Sequence, residues 1–283
     1  MGTIIQLTLK EVLRRRIFLV IALLTIGFLV LYGVALYYTG KKFVIKPTGM
    51  SANDAIKLVI YPQMLALGLY FSSMIVSLLA IFTAVGTISG ELDSGILHSI
   101  VPKPLRRGEI VLGKYVGYGL ILVIYTSILF LSIIGLVYFF TGYYAGNIIP
   151  ALLYYLLLSL TLLALAMLGS TMLSTIANGV AVFMLYSIGT IGGMMEQIAS
   201  MMNNEALTNI GIISSLIIPT DAIYRMMITS VLLNDSNPVN LLNMGPFGSQ
   251  HPPSEAMMAY IVIYLLLALW GAKKVLKEGY LMA

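Results

Sequence analysis

The stretch Pro104–Tyr115, PLRRGEIVLGKY, can be read into two incompatible folds. Gly108, four further residues, then Gly113 and Lys114 spell G-x-x-x-x-G-K, most of the phosphate-binding loop of nucleotide hydrolases. That loop joins a buried strand to a helix and needs Ser or Thr after its Lys, because the small hydroxyl ligates magnesium. Here Tyr115 follows, a bulky phenol. HSIVPKPLRR precedes Gly108 and a run apolar enough to cross a bilayer follows Tyr115, which leaves no room for a nucleotide-binding domain. Gly113 and Lys114 are therefore expected to mark the cytoplasmic start of a membrane helix, with Lys114 near the lipid headgroups.

The composition agrees. Of 283 residues, 59% are hydrophobic and 10% charged, and the mean hydropathy is +0.97. Soluble domains carry about 25% charged residues, so too few charges remain here to solvate a surface in water. The absence of cysteine excludes disulfides, thiolate metal sites and thiol nucleophiles. The net charge of +5 is read by its location along the chain rather than as a nucleic-acid footprint, and no nucleic-acid partner is expected.

Six segments are long and apolar enough to span: 17–38, 62–88, 116–140, 150–173, 179–198 and 257–276. None has a charge at its centre. The first follows Lys10, Arg14, Arg15 and Arg16, as a signal peptide would. It is too long for a signal's apolar core, and no small-x-small site follows, so it is expected to be retained as the first span. The fold class is thus all-α, a polytopic membrane protein of six transmembrane helices in a single domain, 1–283. Gly113/Gly117 and Gly189/Gly193 recur at four-residue spacing, which lets helices approach closely. With both termini inside, Lys10, Arg14–Arg16, Lys103, Arg106, Arg107, Lys114, Lys273, Lys274 and Lys277 are cytoplasmic. Lys41, Lys42, Lys46, Lys57 and Arg225 lie outside, and that imbalance sets the orientation.

Three segments lie outside the spans. Residues 1–16 contain TIIQLTLKEVLRRR, in which apolar bulk ends in clustered cations. This suits an amphipathic helix in the interface, its charges near lipid phosphates. Residues 89–115 form the longest cytoplasmic connection. Glu91 and Asp93 come early, where negative charge favours a helix N-terminus. Ile96, Leu97, Ile100 and Val101 make a stripe at helical spacing, and Pro102 and Pro104 end it. Such a short helix either seats in a partner's hydrophobic groove or lies among headgroups; composition leaves both open. Residues 199–255 form an extracytoplasmic segment with IGIISSLIIP and TDAIYRMMITSVLL. The first is too short to cross, but long enough to dip in and return.

Few residues suggest chemistry. His98 and His251 fall on opposite sides of the membrane and cannot share a site. Methionine pairs at 194–195, 201–202, 226–227 and 257–258 are packing residues first; thioethers also suit Cu(I), but without Cys or His nearby no metal site is expected. Glu196 is an ionisable group near the outer end of the fifth span, which makes it a functional candidate. Asp221 and Arg225 stand four apart after Pro219–Thr220, the spacing of a helix ion pair. Glu196, Asp221 and Arg225 together are candidates for an outer gate; a solvated charge and a plain helix salt bridge are the other readings. With no paired carboxylates, H-E-x-x-H or Ser-His-Asp set in the spans, an intramembrane enzyme is not supported.

Glu91-x-x-x-Gly95-x-Leu97, Pro102, Arg106-Arg107 and Ile110-Val111-Leu112-Gly113-Lys114 together resemble the first cytoplasmic loop of type-2 ABC exporter permeases. That loop reads roughly E-x-x-x-G-T-L-x-x-L-L-x-x-P-x-x-R-x-x-I-x-x-G-K; Ile96 stands where the family often has Thr. The basic "elbow" helix, the six spans and the partly re-entrant outer segment are similar too, so the resemblance covers essentially the whole chain. The nearest subgroup includes sodium, peptide-antibiotic and copper-associated exporters. The resemblance implies a permease that holds no nucleotide itself, with ATP and Mg bound by a separate cytoplasmic ABC ATPase. Glu91 to Val101 would be the coupling helix seated on that ATPase, with Glu91, Asp93, Gly95, Ile96, Leu97, Ile100, Val101, Pro102 and Arg106 at the contact. A second permease copy, identical or closely related, would complete a complex in the cell membrane. The expectation is a non-catalytic exporter subunit moving cargo by alternating access. A membrane anchor or assembly factor and an ion-coupled secondary carrier are the alternatives.

Overall fold

A computed structural model describes residues 2–14, 16–43, 60–90, 107–202, 205–232 and 253–278. These residues form helices and their connections, with no strand among them. Helix α1 is Gly2–Arg14, α2 Arg16–Phe43, α3 Tyr61–Ala84, α4 Arg107–Thr141, α5 Ile148–Ser170, α6 Thr175–Met202, α7 Glu205–Ile217, α8 Thr220–Leu232 and α9 Glu255–Glu278. Six of them, α2 to α6 and α9, are long and apolar enough to cross a bilayer. Helix is the form that lets an apolar segment satisfy its own backbone where water is absent.

The ends of these helices have local causes. Pro62 sits in the first turn of α3, where its missing N–H costs nothing. Gly142 adopts φ 68° directly after α4, and its N–H bonds to the Tyr138 carbonyl at 2.9 Å, the usual way a glycine closes a helix. Between α7 and α8, Pro219 cannot continue the helix ladder and biases Ile218 away from helical geometry. The two short helices meet there at a bend of 101°. The apolar stretch expected to dip and return is thus a broken helix pair.

Helix α5 is central and packs against α3, α4, α8 and α9. Fully buried Tyr155 packs at a tilt against Phe130 (centroids 5.6 Å) and donates to Ser72 Oγ at 2.9 Å. Helix α8 is only 13 residues long but almost wholly buried. Its last carbonyls are satisfied from outside the helix: Gly146 N–H bonds to Val231 O at 2.6 Å and Asn147 N–H to Ser230 O at 3.0 Å. Helix α1 lies on α4, so close at Gly117 that a Cβ there would come within 2.8 Å of Thr8. Leu23, Ile26 and Leu31 on α2 and Leu266, Leu267 and Trp270 on α9 are exposed, as lipid-facing positions are.

Helix α4 starts nine residues, about two and a half turns, before the expected third span, and Lys114 lies inside it. Lys114 is buried and its Nζ donates to the Thr87 carbonyl at 2.7 Å, which corrects its placement near headgroups. The receiving carbonyl lies in the turn just past the end of α3, within reach of the buried side chain. Gly108 and Gly113 are helical as well, so the stretch has no phosphate-wrapping loop.

Candidate functional site

Two polar groupings stand out from the apolar bundle, one at each end. The first lies at the end where α1 packs. Helix α3 stops at Ala84, and the chain turns through residues 85–88 before reaching Gly90. Three helices or their roots grip this turn. From α4, Lys114 donates to Thr87 O, placing a cation where the α3 dipole is negative. From the end of α5, Ser170 Oγ accepts both Ile88 N–H (3.0 Å) and Ser89 N–H (3.2 Å). At the start of α6, Thr175 Oγ1 meets Ser89 Oγ at 2.9 Å. Asn178 braces the α5–α6 connection, donating from Nδ2 to Ala166 O at 2.9 Å. On the other side of α4, Tyr118 donates to Glu11 Oε2 at 3.4 Å and ties in α1. The chain just before residue 91 is therefore clasped to α4, α5 and α6 together.

The second grouping lies at the opposite end, near the α7–α8 break. Arg225 of α8 donates from both Nη atoms to the two carboxylate oxygens of Glu196 on α6, each at 2.7 Å. Its Nε lies 2.8 Å from Asp221 Oδ2, one turn back on the same helix. One Nη also reaches Ser215 Oγ on α7 at 3.4 Å. A single guanidinium thus joins α6, α7 and α8. Glu196 lies six residues before the end of α6, about 9 Å along the helix at 1.5 Å per residue. The side chains of Arg225 and Asp221 are each 7% exposed and that of Glu196 20%. Desolvation of this depth is costly, and a fork-to-fork carboxylate–guanidinium pair is the geometry that best offsets it.

Glycines make the cluster possible. A Cβ at Gly193 would fall inside the Asp221 carboxylate, one at Gly192 inside the Ser214 side chain, and one at Gly211 against Glu196. Gly189 lies against Ile218 O and Thr220. The glycine face of α6 therefore admits the broken helix pair at backbone distance. Aromatic side chains wall the site: Tyr224 and Tyr70 pack edge to face at 5.6 Å, and Tyr224 donates to Ala66 O at 3.3 Å.

Of the residues singled out in the sequence, Glu196, Asp221 and Arg225 are brought together. Their ion-pair spacing along α8 is realised, and Glu196 joins from 29 residues away. Glu91, Asp93, Gly95, Ile96, Leu97, Ile100, Val101, Pro102 and Arg106 lie outside the described residues, as do His98 and His251. Among the described residues, no three His, Cys, Asp or Glu side chains converge as metal ligands. Ser170, Thr175 and Ser215 carry contacts that no sequence pattern announced; only the Gly189/Gly193 spacing hinted at the close approach around the cluster.

The sequence profile of the ABC-2 family transporter proteins matches residues 3–274. The chain is also similar to a protein described as a probable ABC transporter permease protein, NosY, in Stutzerimonas stutzeri: 35% identical over 74 residues, 26% of this chain and 27% of that one. The protein of the same description in Pseudomonas aeruginosa is 32% identical over 80 residues, 28% of this chain and 29% of the relative. The matched region thus spans little more than a quarter of either relative.

Proposed function

We infer the working of this chain from one premise: it belongs to the ABC-2 family of transporter proteins, and is a membrane permease subunit of an ABC transporter. It moves cargo outward across the cell membrane by alternating access. A separate cytoplasmic ATPase binds ATP and Mg, and this chain carries no catalytic group. A second permease copy, identical or closely related, completes the assembly, and the cargo path runs between the two. The α1 end faces the cytoplasm.

In this mechanism the ATPase receives the inner loop, with Glu91, Asp93, Gly95, Ile96, Leu97, Ile100, Val101, Pro102 and Arg106 at the contact. Closure of the ATPase pair pushes that loop toward the membrane. The clasp described above supports this reading, because motion at residue 90 must move Lys114 on α4 and Ser170 on α5. Helix α5 packs on α8, so displacement reaches Arg225 at the opposite end. There the Arg225–Glu196 pair serves as the outer gate. It is closed when α6 and α8 are tied, and open when they part. Asp221 belongs to the same gate.

The observation that carries this reading is the family match over residues 3–274, on a bundle with six membrane-length helices preceded by α1. Purification of the full chain from native membranes tests it. Wild type is expected to bring down an ATPase with a complete phosphate loop, and the Leu97→Asp/Ile100→Asp variant is expected to lose it. Equal recovery by both, or no ATPase with either, would refute the coupling assignment and return the anchor reading.

A further inference from the structure

Arg225 faces two carboxylates that sit on different bodies. Glu196 is on α6, across the helix interface; Asp221 is on α8 itself, one turn away. A static tie between α6 and α8 needs a single carboxylate. The second adds a buried negative charge, which costs desolvation and repels the first. It also needs a special accommodation, since Asp221 fits only because residue 193 has no side chain.

We propose that Asp221 is a positioning residue, a counter-ion that travels with Arg225 so that α6 and α8 can separate without leaving a lone buried guanidinium. This rests on the gate reading of the same cluster. Were Glu196 the sole carboxylate partner, each opening would leave the buried Arg225 with only the Ser215 hydroxyl at 3.4 Å and no counter-charge, the costliest way to break a buried pair. Asp221 lies at i,i+4 on Arg225's own helix, so its distance does not depend on where α6 goes. The division of contacts fits that role. Both Nη atoms hydrogen-bond to Glu196 when the helices are together, while Nε makes only a 2.8 Å ion contact with Asp221, without a hydrogen bond. Glu196 is the most exposed of the three, so on release it is the group best placed to be taken up by water.

The two carboxylates therefore act in opposite directions. Removing charge at Glu196 weakens the closed state alone. Removing it at Asp221 weakens the open state more, because Glu196 still neutralises Arg225 when the gate is shut. A merely structural role would loosen the site in both variants.

The chain has no cysteine, so Ser214→Cys provides a sole thiol. Ser214 is buried on α7 against Gly192 and becomes accessible when the helices part. The full chain in membranes is labelled with an impermeant maleimide from the extracytoplasmic side. Glu196→Gln is expected to raise the labelling rate about tenfold, in line with the loss of charge-assisted bonds. Asp221→Asn, which keeps the shape and removes the charge on α8, is expected to label more slowly than the parent. Slow labelling also separates the effect from misfolding, which speeds it. If Asp221→Asn labels at the parent rate or faster while Glu196→Gln accelerates, the gate stands and the counter-ion role is wrong. If Glu196→Gln changes nothing, the gate reading falls and this inference with it.

Discussion

Arg225→Met is the sharpest perturbation of the bundle's stability. It removes two 2.7 Å bonds to Glu196 and the 2.8 Å ion contact to Asp221, and leaves one buried and one partly buried carboxylate without their shared cation. Truncating one partner of a buried ion pair costs about 3–5 kcal/mol. Glu196 is partly exposed and can draw in water, which places the expected loss near the middle of that range, about 4 kcal/mol. The triple variant Arg225→Met/Glu196→Gln/Asp221→Asn has no charge to strand. Its cost should be that of a few imperfect hydrogen bonds, about 1–2 kcal/mol. Adding two substitutions to the damaging one should thus recover about 2 kcal/mol, a non-additivity diagnostic of a coupled cluster. Reversible unfolding of the purified chain in mixed micelles measures all three species. A single variant within about 0.5 kcal/mol of wild type, the range of an ordinary surface change, would refute this account of the cluster. So would a triple variant no more stable than the single.

Three further outcomes are expected. Gly193→Ala should displace the Asp221 carboxylate and destabilise by about 1–3 kcal/mol, the cost of an overpacked contact; unchanged unfolding would mean α6 and α8 are not packed this closely. Lys114→Met should leave the Thr87 carbonyl without this donor and speed tryptic cleavage of the inner loop, with Lys114→Arg closer to wild type; equal cleavage in all three would contradict the clasp. Ser170→Ala should release the amides of Ile88 and Ser89 and raise their hydrogen exchange by about tenfold, against no change if Ser170 were incidental.

The spans were legible because membrane helices must be long and apolar, and each expected span overlaps one of the observed helices, although 62–88 and 150–173 run past the ends of α3 at Ala84 and α5 at Ser170. Ends were harder to place. The fourth helix begins at Arg107, before Lys114, whose charge is received by a buried carbonyl at Thr87, a partnership between residues 27 positions apart. In lipid, a helix is apolar on its outer and inner faces alike, so periodicity does not reveal which face packs. That is why the central role of α5 and the burial of α8 could not be read from hydropathy. Charge was more informative. Asp221 and Arg225 were visible as a helix pair by spacing alone, and Glu196 as an ionisable group in a span. Their meeting depended on the bend at Pro219, whose 101° angle no local pattern specifies. The serines and threonines of the clasp were invisible for a simpler reason: a lone hydroxyl in an apolar run has no spacing to read.

The most direct test of the central claim joins the two ends of the molecule. The Ser214→Cys chain, in membranes with the proposed partner ATPase, is labelled from the extracytoplasmic side with and without MgATP. The account predicts that MgATP changes the labelling rate, and that Leu97→Asp/Ile100→Asp abolishes the change while leaving the nucleotide-free rate intact. A rate indifferent to MgATP, or a loop variant that responds as the parent does, would contradict it.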